Sequence, residues 1–333
     1  MYKSKSIKVI LILLSMVLIL AGCSSGKPND LEKGKNEPIV WRLAHVMPAD
    51  HPYNLGALKF AELLAEKTNG KYKVICYPNA ELGTEGETME MCASGQIELA
   101  QGWNGLLENY EPKVGVLCLP MLFSDFDHLW RVVDGEIGQE LFKPLESKGI
   151  KVLGSLYNGV CNIVSTKKIV NPEDMQGVKT RIQSSKTVAE IASGLGAIVT
   201  PADFSEVYSA LQLGAIEAEF QTSTNARKSK HEEVAKYTCE NDLFYTLQMF
   251  TINNDLFESL SEEDQKAVLE ASAESIAYQR EIADKEAEEA HEYLKTKMEY
   301  TQPDIELWKE ALAPVYDKFP EWADMVDKIN AIK

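Results

Sequence analysis

The side chain with the clearest chemical potential is Arg181, in the stretch DMQGVKTRIQSS that runs from Asp174 to Ser185. A guanidinium presents a planar fork of donors that matches a carboxylate bidentately and stays charged at any physiological pH. At a strand end beside a lobe boundary it would neutralise an anionic ligand in a water-poor cleft. In a structural ion pair it would serve a carboxylate of the chain itself, and composition alone leaves both roles open. Other constellations are thinner. His45, His51, His128, His231 and His291 stand in unrelated settings, none in HExxH spacing, and GxSxG, GxxxxGK[ST] and GxGxxG are all missing. Glu217 and Glu219, two apart on a strand, would share a face as a carboxylate pair does, but solvent-facing charge at a strand edge accounts for them more simply. Asp264 and Glu270 read as the wet side of a helix.

Cysteine and charge narrow the field further. Cys76, Cys92, Cys118, Cys161 and Cys239 are odd in number, widely spaced and mostly set among apolar neighbours, as in Leu117-Cys118-Leu119. That pattern predicts buried free thiols rather than a disulfide framework or a zinc site, and no metal or other cofactor is expected. A net charge of −17 argues against nucleic acid as a partner. It says little about ligand charge, because one buried arginine can dominate a pocket.

The first residues do not belong to the fold. Lys3, Lys5 and Lys8 precede an apolar run from Ile10 to Leu20, and Leu20-Ala21-Gly22-Cys23 has the form of a bacterial lipoprotein cleavage site. Residues 1–22 are therefore expected to be removed and Cys23 to be lipidated, tethering the chain outside the cytoplasmic membrane. An uncleaved anchor is the alternative, although the run is short for a membrane span. Residues 23–38 read as a flexible polar tether.

Two α/β tracts must position Arg181. In the first, Ile39–Ala44 is a strand ending at His45, Gly56–Lys67 is an amphipathic helix stopped at Asn69-Gly70, and Tyr72–Tyr77 is a second strand. A helix over Glu85–Ala93 and a strand over Ile97–Gln101 follow. This alternation predicts an α/β fold with a substantially parallel sheet. The second tract places strands at Val152–Tyr157, Asn162–Ser165, Val178–Ile182, Ala197–Thr200 and Ala215–Phe220. Its helices cover Lys186–Ser193 and Phe204–Leu213, the latter started by Asp203 and Glu206. Two such tracts suggest two lobes with a cleft between them. Residues 262–298 lack Gly and Pro and open on the Ser261/Asp264 capping pair, which predicts one helix roughly 50 Å long. It would span both lobes; a dimerising coiled coil fits less well because its a and d positions are not consistently apolar. The tail packs through Trp308, Leu312, Tyr316, Phe319 and Trp322.

Over essentially the whole mature chain the sequence resembles the DctP-type solute receptors of tripartite ATP-independent periplasmic (TRAP) transporters. The resemblance is carried by LAHVMPADHPYNLGALKFAELLAEKTNGKYKVICYPNAELGTEGETMEMCASGQIELA (43–100) and by KKIVNPEDMQGVKTRIQSSKTVAEIASGLGAIVTPADFSEVYSALQLGAIEAEF (167–220). Tyr77-Pro78-Asn79 with Leu82-Gly83, Pro172–Gly177 with Lys179 and Arg181, and Phe204–Leu211 recur there in this order and spacing. The resemblance implies a two-lobed periplasmic-binding-protein-like fold, with a ligand cleft between lobes joined by crossing strands and a long helix. Residues 39–158 with about 247–286 would form the first lobe, and 159–246 with about 287–333 the second. It implies a salt bridge from Arg181 to the carboxylate of an organic acid, and delivery of that acid to small and large integral membrane subunits. Transport energy, in the family from a sodium gradient, would come from those subunits.

The departures from the family pattern bear on the ligand. Cys161 stands where members often carry a second arginine, which points away from a second carboxylate or a sialic acid. Gln221 occupies the place of an asparagine that helps hold the carboxylate, and still offers an amide donor. Trp103 replaces a polar pocket residue of some members, unless it is core, and His45 stands where some have asparagine. The expected site is thus Arg181 with Gln221, walls of Phe204 and Trp103, Cys161 facing inward, and His45 and Asn158 as polar contacts. It suits a monocarboxylate with an apolar or aromatic body, or a small keto or hydroxy acid. A ligand sensor for a signalling receptor would bind identically and differ only in its partner. An extracytoplasmic hydrolase or lyase would need a nucleophile or metal near Arg181, and the sequence offers neither.

Overall fold

The computed structural model describes residues 37–332. The expected leader, Cys23 and all but the end of the tether lie outside the described residues. In chain order the regular elements begin with β1 (Ile39–Ala44), α1 (Pro52–Lys67), β2 (Tyr72–Tyr77), α2 (Glu85–Ala93) and β3 (Leu99–Trp103). Next come α3 (Phe126–Val133), α4 (Glu136–Phe142), β4 (Ile150–Ser165), β5 (Lys179–Ile182), α5 (Lys186–Gly194), β6 (Ile198–Pro201), α6 (Val207–Gln212), β7 (Ala218–Gln221) and α7 (Ser223–Lys228). The chain closes with β8 (Tyr237–Asn253), α8 (Asn254–Ser259), α9 (Glu262–Lys295), β9 (Glu299–Thr301), α10 (Ile305–Tyr316) and α11 (Ala323–Ala331).

The strands hydrogen-bond in the order β2-β1-β3-β8-β4-β7-β5-β6, with β9 paired to β8. The β2-β1-β3 pairs are parallel, as are β7-β5-β6, and each trio is the sheet of one α/β lobe. Between them run β4 and β8, two long antiparallel strands shared by both lobes. Residues Gln248–Ile252 of β8 pair with β3 in the first lobe, and the Asn162–Ser165 end of β4 pairs with β7 in the second. The sheet is thus parallel at its flanks, in keeping with the substantially parallel sheet expected, and antiparallel at its centre.

The two strands predicted over Val152–Tyr157 and Asn162–Ser165 are one. Between them Asn158-Gly159 forms an irregularity rather than a turn: register shifts occur at Val152/Gly154, Tyr157/Gly159 and Cys161/Ile163. The first two insert one unpaired residue into β4, and at the third β8 loops out residues 240–243; each bends the pair while the ladder continues. The Phe204–Leu213 helix divides into a 3₁₀ turn, Phe204–Glu206, and α6, and Asp203 sits at its start without a side-chain capping bond.

Helix α9 packs along α1, crosses β4 and reaches α7. Ser261 caps it by accepting from the Asp264 N–H at 3.2 Å. At the crossing, Gln279 is fully buried; its Oε1 accepts the Tyr157 N–H and its Nε2 donates to the Tyr157 carbonyl, both at 2.9 Å. The helix is therefore pinned where β4 passes between lobes, and Gly56 of α1 lets it approach: a Cβ there would lie 2.9 Å from the Gln279 Cβ. Asp264 is not on the wet side. It is buried and accepts from the Tyr72 hydroxyl, the Ser261 hydroxyl and Lys71, which tie the helix start to β2.

Candidate ligand-binding site

A cavity opens where β4 and β8 cross, walled by the ends of β3, β5 and β7. Arg181 enters it from the third position of β5. The chain reaches that strand through a 3₁₀ turn whose Asp174 carboxylate accepts from the Val170 and Asn171 N–H groups at 2.9 Å, then through Gly177 at φ 74°, a backbone conformation suited to glycine. The arginine is 2 % exposed. Its Nε donates to the Ala202 carbonyl at 3.0 Å, while its buried Nη2 has no protein partner. Among the described residues no carboxylate approaches the guanidinium within ion-pair distance. Burial pushes Arg181 below its ordinary pKa, and the nearby charges of Glu219, Glu85 and Asp203 oppose that push. A buried cation with an unpartnered donor, on a residue that lines a cavity, is costly unless an anion completes it.

Glu219, expected at a solvent edge, is fully buried instead. Its Oε1 lies 2.5 Å from His231 Nδ1, and its Oε2 accepts the Gln221 amide at 3.1 Å. A partner twelve residues away, on a separate turn, made this burial invisible to local patterning. Glu217, by contrast, is partly exposed and paired with Lys167 at 2.7 Å. The Glu219 carboxylate therefore orients Gln221, whose Oε1 in turn accepts the Thr222 N–H at 2.9 Å.

Of the residues expected at the site, Arg181, Gln221, Phe204, Trp103, Asn158 and Cys161 line this cavity together. His45 does not. It is buried beside α1 with Nε2 3.2 Å from Asn54 Oδ1, and burial lowers its pKa to about 4. Trp103 is a wall and is also packed as core: it is almost wholly buried, and Gly105 leaves room for its ring. The indole N–H donates to Thr246 Oγ1 at 2.5 Å. Burial pushes the Cys161 thiol far above its usual range, so it acts as a small apolar lining group rather than a nucleophile.

The lining is more polar than the sequence suggests. Gln183, Asn225, Thr246 and Gln248 contribute to it, and so does the partly buried Glu85. Glu85 opens α2 just after the Thr84 cap; Gln248 Nε2 donates to its Oε1 at 2.9 Å and Gln183 Nε2 to its Oε2 at 2.7 Å. Burial raises its pKa, whereas those amides and Arg181 hold it down. A chain of hydrogen bonds borders the cavity. His51 Nε2 meets Asn225 Oδ1 at 3.1 Å, Asn225 Nδ2 donates to Asn158 Oδ1 at 3.1 Å, and Asn158 Nδ2 donates to Thr246 Oγ1 at 3.4 Å. None of these partners is close in sequence, which is why motif reading missed them.

Comparison with known proteins places this geometry. Residues 43–321 match the family described as "Bacterial extracellular solute-binding protein, family 7" (DctP). A curated relative, the C4-dicarboxylate-binding periplasmic protein DctP of Rhodobacter capsulatus, is 33% identical over 295 residues, covering 86% of this chain and 87% of that protein. A TRAP periplasmic solute-binding protein from Roseobacter denitrificans, solved with bound β-D-glucuronate, superposes with a TM-score of 0.85 at 28% identity, covering 89% of this chain and 100% of that one. Another, from Shewanella oneidensis with bound succinate, gives a TM-score of 0.85 at 27% identity, over 89% of this chain and 99% of that one.

Proposed function

This chain belongs to the DctP family of bacterial extracellular solute-binding proteins, and from that premise we propose that Arg181 is the charge anchor for the carboxylate of its ligand. The chain is a TRAP-type receptor that binds an organic acid and hands it to membrane subunits for uptake. The observation that carries the assignment to Arg181 is its buried guanidinium, whose Nη2 lacks a protein partner while lining the interlobe cavity. Gln221, held by Glu219, is the auxiliary amide donor, Asn158 a polar contact, and Trp103, Phe204 and Cys161 the walls. The ligand is a monocarboxylate, a reading supported by Arg181 being the one cation among the lining residues. Closure of the lobes buries the ion pair, where weaker screening strengthens it. The chain performs no chemistry on the acid: its relatives are receptors.

Outside the cleft, Cys23 is the lipid attachment site and the receptor works at the outer face of the cytoplasmic membrane. No described helix is long and apolar enough to cross a membrane. A thermal-shift screen of organic acids tests the anchor. A ligand at a hundred times its Kd stabilises the native state by about 2.7 kcal/mol, and Arg181→Ala removes the shift for every hit. Shifts of undiminished size in that variant would refute the role of Arg181.

A further inference from the structure

We propose that the acid also carries a cationic group: it is a zwitterion whose carboxylate meets Arg181 and whose ammonium is received by Glu85. This rests on the reading of Arg181 given above.

The cavity continues into a wider mouth, and the two share Glu85, Trp103, Arg181, Gln183 and Phe204. Arg181 is the one cation lining either space, whereas Glu85 lines both and Glu90 and Asp203 line the mouth. Every other charged group that a ligand anchored at the arginine meets in this lining is therefore a carboxylate. Glu219, behind the guanidinium, is already engaged by His231 and Gln221. Glu85 is engaged by two neutral amides, one to each oxygen, which hold its carboxylate in place without neutralising it. A carboxylate has about four lone-pair sites, and beyond these amides and the Trp103 backbone N–H about one remains for a ligand donor.

Charge balance decides between ligand classes. When a simple monocarboxylate pairs with Arg181, the Glu85 charge is left facing the ligand without a counter-ion. A dicarboxylate would add a second anion where the lining supplies no second cation, and like charges brought together in a poorly screened site repel strongly. An ammonium beside Glu85 cancels that charge and donates a charge-assisted hydrogen bond. The aromatic faces of Trp103 and Phe204, which line both spaces together with Arg181 and Glu85, suit the carbon body of such a molecule and also tolerate a cation.

The test is calorimetric titration of the purified receptor with length-matched acids that differ only at the far end: 4-aminobutyrate, 4-hydroxybutyrate and succinate, then 6-aminohexanoate, 6-hydroxyhexanoate and adipate. In at least one length the amino acid binds about tenfold or more tighter than its hydroxy analogue, and the diacid binds weakest. Glu85→Gln, which keeps shape and amide contacts, erases the preference for the ammonium and improves binding of the diacid. A diacid that binds the wild type as well as the amino acid does, or a preference unchanged in Glu85→Gln, overturns the proposal while leaving Arg181 as anchor. If Arg181→Ala binds every acid as the wild type does, the anchor reading itself falls and this inference with it. Should Glu85→Gln melt far below the wild type, the wild-type ranking alone decides.

Discussion

Histidine 51 offers the sharpest test of how the fold supports the cavity. It caps α1: its Nδ1 accepts the Tyr53 N–H at 3.1 Å, so that nitrogen must be unprotonated. Its Nε2 then carries the proton and donates to Asn225 Oδ1 at 3.1 Å, the first link of the hydrogen-bond chain along the cavity. The contact at Nδ1 requires the neutral ring. Burial accordingly lowers its pKa to about 3, against the smaller upward pull of the Asn225 bond. In the unfolded chain the same histidine titrates near 6.5. Between those values the unfolded state binds the extra proton, so stability rises with pH and is lost on acidification. The slope is about 1.4 kcal/mol per pH unit for one histidine, or about 2 kcal/mol between pH 6.5 and 5. His45, lowered to about 4, acts in the same direction. His51→Asn keeps a capping oxygen but cannot titrate. It loses about 1–3 kcal/mol at neutral pH because Asn225 is left without its donor. Its stability then falls less steeply with acid, by about 1.4 kcal/mol per unit relative to the wild type. Urea unfolding followed by tryptophan fluorescence at stepped pH measures both terms. Parallel pH profiles for the two proteins would refute the neutral-cap assignment.

Two further outcomes test the frame around the site. Gly159→Ala destabilises by about 1–3 kcal/mol, because φ there is 128° and a Cβ would sit 3.1 Å from Thr222 Cβ; a melting temperature equal to the wild type would mean that the strand crossing tolerates a side chain. Asp264→Ala costs about 2 kcal/mol, since it strips partners from Tyr72 and Ser261 inside the fold. Lys71→Ala, which removes only the exposed end of the same cluster, costs less than about 1 kcal/mol; equal losses in urea unfolding would contradict the burial argument.

Much of the frame is legible along the chain because it is written in local periodicity. Helix α1, the three parallel strands of each lobe and the capped start of α9 lie within a few residues of where apolar spacing and turn residues put them. The shared strands are another matter. Strand β4 carries Gly154 and Asn158-Gly159 in its middle, and β8 carries Glu240-Asn241-Asp242, with Asp242 at φ 44°. Such residues are turn formers when judged locally. Here they mark irregular positions in long antiparallel strands, and only pairing across some ninety residues of sequence keeps those strands continuous. That pairing is a tertiary fact, and β-propensity carries little of it.

The site divides in the same way. Arg181 is conspicuous because a lone arginine among short strand residues needs an anion. Its surroundings are conspicuous only in three dimensions. Glu85 reads as an ordinary acidic first-turn residue until Gln183 and Gln248, from two other elements, are found to hold both its oxygens. Glu219 reads as surface until His231 covers it. The consequence is physical as well as interpretive. On the proposed reading the lining anchors one anion through one cation, and the carboxylate nearest in that lining, Glu85, is held in place by two neutral amides. On that proposal, discrimination among acids would reside in what Glu85 repels at the far end of the ligand, and a single change at Glu85 should alter selectivity more than affinity for the carboxylate itself.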